Sequence, residues 1–151
     1  PVANRIVIAV VGGGSAGADM LTAAETVGRK IAERGAMLVC GGLGGIMEAA
    51  AKGAKSAGGT TIGILPQPYR HDANPYIDVP IATGFGEGRN VFIIRTADVV
   101  IAVGGEYGTL SEIALALKSG KAVIGLGTWD IKGILKADSP EHAVDLALTH
   151  V

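Results

Sequence analysis

The chain has 151 residues, a formal net charge of -1 and a sequence pI near 6.4, with 48% hydrophobic and 4% aromatic residues. That length predicts a single domain over residues 1–151, and so balanced a charge excludes the electrostatic footprint of a duplex nucleic-acid or anionic-membrane binder. One cysteine, Cys40, excludes an intramolecular disulfide and, with no His/Cys set beside it, argues against a structural metal. It reads as a small buried hydrophobe at a strand end.

In chain order, short apolar runs alternate with helical patterns. "RIVIAVV" (5–11) is a continuous β-branched strand that runs into Gly12, Gly13 and Gly14 without a cleavage pattern behind it. A helix follows, with Leu21, Ala24, Val27 and Ile31 on one stripe, and Gly35 stops it. "AMLVC" (36–40) is a second strand, "GGLGG" a second glycine loop, and 46–57 a second helix ended by Gly58 and Gly59. "TTIGILP" (60–66) is a third strand, 67–77 a proline-bearing loop, and "VPIAT" a short strand with no evident neighbour. "GEGRNVFIIRTA" reads as a helix, "DVVIAVG" as a strand, 109–119 as a helix, "KAVIGLG" as a strand and 140–148 as a final helix. The apolar stretch 91–103 carries Arg95 and Asp98, so it cannot span a membrane, and a cytoplasmic location is the expectation.

Strand, glycine loop and helix in repetition predict an α/β fold: one Rossmann-like, doubly wound, mainly parallel sheet with helices on both faces. Three glycine loops, 12–17, 41–45 and 104–108, would then lie at the carboxyl edge of that sheet, where open α/β folds hold ligands. Helix starts there offer unpaired N–H groups and a partial positive charge, and glycine lets oxygens approach the backbone. The expected ligand is a phosphorylated small molecule, held by Gly13, Gly14, Ser15, Gly41, Gly42, Gly44, Gly45, Gly104, Gly105, Gly108 and Thr109. NAD is not expected: Gly12-x-Gly14-x-x-Gly17 fits the dinucleotide spacing, but Val39-Cys40-Gly41 stands where a ribose-binding acid would end the second strand. A Walker A loop is absent.

Glu112 stands three residues after Thr109, the spacing of a capping box; the same position would also aim a carboxylate at a ligand on the glycine loop. Arg89 opens a helix, where the macrodipole disfavours a cation; an anionic ligand accounts for it, and an ion pair is the other reading. Arg70, His71 and Asp72 read as a solvated loop, and His142 and His150 carry no assigned chemistry. Tyr107 and Trp129 suit either ring stacking or packing.

"GGLGGIMEAAAKGAKSAGGTTIGILP", "GRN" and "GGEYGTLSE" resemble, in that order, segments of the SLOG superfamily, once described as possible lysine decarboxylases. The resemblance covers about residues 5–127, and the nearest pattern within it is that of the molybdenum cofactor carrier proteins. It implies a pterin phosphate as cargo, held without bond cleavage by the glycine loops with Arg89 and Asn90. The superfamily also includes the LOG phosphoribohydrolases, which release free base and ribose 5-phosphate from cytokinin riboside monophosphates. In a hydrolase of that kind Arg89 and Glu112 would be the catalytic residues. Asn90 stands in place of the LOG lysine, Gly104 in place of the proline, and Glu106 in place of the second glycine, where it sets a negative charge beside the phosphate. Single-strand DNA binding, as in the distant DprA relatives, would need a basic groove with stacking aromatics that this composition does not supply. A mean hydropathy of +0.41 predicts more apolar surface than one core hides, hence a homo-oligomer; the resemblance implies a dimer or tetramer.

Overall fold

The apolar runs at 7–12, 37–40, 61–65, 99–103 and 123–126 become strands with both faces buried. In the computed structural model, which describes residues 5–151, seven strands form one sheet in the order β4-β3-β2-β1-β5-β6-β7, every pair parallel. The strands are β1 (Val7–Gly12), β2 (Met37–Cys40), β3 (Thr61–Leu65), β4 (Val79–Ala82), β5 (Val99–Val103), β6 (Val123–Leu126) and β7 (Leu135–Lys136). The helices are α1 (Ala18–Glu33), α2 (Ile46–Ser56), α3 (Asn90–Thr96), α4 (Tyr107–Lys118) and α5 (Pro140–Thr149).

Alternation along β1 divides the core between the two faces. Ile8 and Val10 point to the side where α1, α2 and α5 pack, together with Val27, Ile31, Ile46, Ala50 and Val144. Ala9 and Val11 point to the side of α3 and α4, against Ile93, Ile94, Ile113 and Ala116. Ile93 and Ile94 are fully buried, each contributing about 1.5–3 kcal/mol, so even the seven-residue α3 is anchored to the sheet.

The expected fold is therefore present, with three local differences. "VPIAT" becomes β4, an edge strand paired with β3 from Ile62↔Val79 to Leu65↔Ala82. β7 was not foreseen, since two residues carry no readable periodicity; the backbone bond from Ala137 N to Gly125 O, 2.8 Å, extends its pairing with β6. The fourth helix begins at Tyr107 rather than Thr109, with Glu106 as its N-cap.

The chain steps outward from β1 through β2 and β3 to β4, then returns to β5 on the other side of β1. The loops after β1 and β5 diverge at that reversal and leave a crevice at the carboxyl edge of the sheet.

Candidate functional site

That crevice holds a cleft of about 410 Å³. Val10, Val11 and Gly12 form its floor; Gly13, Gly14 and Ser15 line it from the first loop, Gly41 and Met47 from the second, and Glu106, Gly108, Thr109 and Glu112 from the start of α4. Glu87, Arg89 and Asn90 close the remaining side. Of the residues predicted from sequence, Gly13, Gly14, Ser15, Gly41, Arg89, Asn90, Gly108, Thr109 and Glu112 are brought together here. Gly42, Gly44, Gly45, Gly104 and Gly105 stand outside the lining: Gly42 packs on Leu65 and Gly63, Gly45 on the backbone of Gly13 and Gly14, and Gly105 on Thr109.

Arg89 ends the 3-10 turn Gly86–Arg89 and stands at the N-cap of α3, only 9% exposed. Its Nη1 donates to Asn90 Oδ1, while Nε is buried with no partner. The guanidinium lies directly over Gly41, where a Cβ would come to 2.6 Å from Nη2 and 2.7 Å from Met47 Sδ, so only glycine fits beneath the arginine. Burial pulls the Arg89 pKa down from its ordinary value, and the Glu112 carboxylate opposes this.

Glu112 projects from the second turn of α4 and is 8% exposed. The capping-box role open to it in the sequence is not realised: α4 starts two residues before Thr109, and its N-cap has no side-chain cap bond. Burial raises the Glu112 pKa to about 7, against the lowering effect of Arg89. A carboxyl group that gains or loses its proton near neutrality therefore shares the cleft with a buried guanidinium. Glu87 and Glu106, both exposed, add two further carboxylates at its edge. Glu87 was not singled out from sequence, because an acid in "GEG" has no motif to mark it.

The remaining candidates have structural roles. Cys40 is fully buried at the end of β2, its thiol pushed up to about 11 by burial, as expected of a packed hydrophobe. Tyr107 and Trp129 pack on each other with ring centroids 5.8 Å apart, and Trp129 Nε1 donates to Glu106 O at 3.0 Å, which steadies the turn before α4. Arg70, His71 and Asp72 form an exposed 3-10 turn. Among the described residues, no group of three His, Cys, Asp or Glu side chains is placed to hold a metal, and no helix is long and apolar enough to cross a membrane.

An all-parallel sheet with a cleft at the reversal of strand order defines a Rossmann-like α/β protein. The chain belongs to the SLOG cluster4 family, whose model matches residues 5–149. It is similar to the molybdenum cofactor binding protein of Rippkaea orientalis at 40% identity, with 97% of each chain covered and a TM-score of 0.92. The molybdenum cofactor carrier protein of Chlamydomonas reinhardtii is 36% identical, with 97% of this chain and 98% of that one covered and a TM-score of 0.88. A cytokinin riboside 5'-monophosphate phosphoribohydrolase of Mycobacterium tuberculosis is 36% identical over 129 residues, which are 83% of this chain and 66% of that enzyme.

Proposed function

We propose that this chain binds a phosphorylated small molecule in the cleft and acts as a carrier of the molybdenum cofactor type, with the pterin phosphate as its cargo. The observation that carries this reading is the buried Arg89 guanidinium, whose Nε has no partner while Gly41 leaves room for the group. A buried cation with a spare donor is costly unless an anion completes it, and a phosphate is the anion that a guanidinium matches best. The N-terminal turn of α4, with Gly108 and Thr109 on the lining, adds unpaired backbone donors and the positive end of a helix dipole. Likeness to the cofactor-binding proteins over nearly the whole chain supports the cargo.

The second reading is a nucleoside 5'-monophosphate phosphoribohydrolase, favoured by one observation: a carboxyl group with a pKa near 7 facing the arginine. There Arg89 would hold the phosphate, and Glu112 would activate water or stabilise positive charge at the anomeric carbon as the N-glycosidic bond breaks. Glu106 weighs against it, because the LOG pattern has glycine where this chain sets a carboxylate on the lining.

Purified protein incubated with a panel of nucleoside monophosphates, cytokinin ribosides included, and assayed for free base by chromatography separates the two. The carrier reading expects no base release and a higher melting temperature with a phosphorylated pterin. Base release that disappears in both Arg89→Ala and Glu112→Gln would establish the hydrolase instead. Neither release nor a thermal shift would overturn both.

A further inference from the structure

The cleft does not end at its own rim. A shallow groove of about 310 Å³ shares Glu87, Asn90 and Gly108 with it and runs on past Val91, Tyr107, Ser111 and Leu115. The two compartments differ in chemistry. The cleft holds the buried Arg89, whose Nε has no partner, and the start of α4, both suited to an anion. The groove has no cation on its lining. It offers two aliphatic side chains, the Ser111 hydroxyl and the Tyr107 ring, which packs on Trp129 and is still 78% exposed. An exposed aromatic face beside aliphatic carbons suits a flat ring.

Glu87 belongs to both compartments, exposed and in no ion pair among the described residues. An ionised carboxylate is an acceptor only, so it repels a second phosphate and attracts hydrogen-bond donors. Its two oxygens match two parallel donors, as they match the fork of a guanidinium. Neighbouring N–H and NH2 donors of that kind are carried by the aminopyrimidinone ring that guanine and the pterins share. Adenine instead sets its amino group beside ring acceptors.

We propose that Glu87 selects the ring of the ligand: the ring lies in the groove beside Tyr107, and its neighbouring N–H and NH2 groups donate to the two Glu87 carboxylate oxygens. The assignment rests on the ligand reading above, in which Arg89 and the start of α4 hold the phosphate.

Calorimetric titration of the full chain with GMP, IMP, AMP and ribose 5-phosphate tests it, with circular dichroism melts to verify the folding of each variant. IMP keeps the ring N–H but lacks the NH2 group, AMP lacks the N–H, and ribose 5-phosphate has no ring. GMP is expected to bind about tenfold tighter than IMP or AMP, the effect of one charge-assisted hydrogen bond. Glu87→Gln should weaken GMP by about the same factor. Ribose 5-phosphate should bind that variant as before or more tightly, because a repelling charge is gone. The opposite signs distinguish ring recognition from a general effect of charge. Ser111→Met, which fills the groove at a position off the cleft lining, should weaken all three nucleotides and spare ribose 5-phosphate. Phosphorylated hydroxymethylpterin, run beside GMP, separates the two sources of the same donor edge: both should lose affinity in Glu87→Gln, and the tighter of the two names the cargo. If ribose 5-phosphate binds but GMP is no tighter than IMP and AMP, the ring assignment is overturned and the phosphate site stands. The same holds if Glu87→Gln tightens GMP, or if Ser111→Met leaves the nucleotides unaffected. If ribose 5-phosphate, the nucleotides and the pterin all fail to bind, the phosphate reading falls and the ring assignment with it.

Discussion

Gly14 and Gly45 both belong to strand-to-helix glycine loops at the same edge of the same sheet, yet their surroundings differ completely. A Cβ on Gly14 would meet nothing within 4 Å. On Gly45, at φ +64 and ψ -131, it would run into the backbone of Gly13 and Gly14 at under 3.0 Å. The amide of Ile46, next along, donates to Gly13 O at 3.0 Å, so the start of α2 is bound to the first loop rather than open to a ligand. One loop uses glycine to let the protein's own backbone close up; the other uses it to leave space. Similar glycine loops thus support either a scaffold or a site, and only the neighbour across the gap distinguishes them.

The largest test of that contrast is Gly45→Ala, which combines a backbone region open essentially to glycine with a steric clash. Urea denaturation should register a loss of about 2–5 kcal/mol. A change below about 0.5 kcal/mol would mean that the loop yields and the contrast is false.

Next in size is the pH dependence set by Glu112, whose pKa is about 7 in the fold against an ordinary 4.5. Between those values the folded state holds a proton that the unfolded chain has released. The stabilisation is therefore fully present below about pH 4.5 and is lost as pH rises through 7, by roughly 3 kcal/mol at most. Glu112→Gln should flatten this slope in denaturation curves taken across that window. Anion binding should follow the same direction, tightening as pH falls below 7, because protonation of Glu112 removes a negative charge from the cleft.

Arg89→Ala should then weaken the binding of ribose 5-phosphate, read by calorimetry, by about 10- to 100-fold, the worth of a charge-assisted hydrogen-bond pair. An unchanged affinity would move the phosphate site elsewhere. The smallest effect on stability is expected for Gly14→Ala, within about 0.5 kcal/mol, while its new methyl group intrudes on the cleft and lowers the same affinity. Should stability fall and affinity hold, Gly14 would join Gly45 as scaffold.

Much of the site was legible before any fold was known. Arg89, Asn90, Gly108, Thr109 and Glu112 stand out because a cation at a helix start and a glycine turn before a helix are local oddities, and local oddities survive in a linear sequence. Glu112 shows the limit. Its spacing from Thr109 satisfies the capping box, but α4 begins at Tyr107, so the carboxylate is free to face Arg89. Glu87 and the role of Gly41 beneath the guanidinium were not readable, since each is defined by a residue remote in sequence.

By itself the sequence determined the alternation of strands and helices, the parallel sheet and the edge at which the cleft opens. Those depend on periodicity and glycine placement, which act over a few residues. The tertiary structure alone decided that β4 pairs parallel at the edge, that β7 exists, which glycines line the cleft and which seal against backbone, and that Arg89 and Glu112 line the same cleft. Each of these is a relation between segments far apart in the chain, set by how strands order themselves in the sheet.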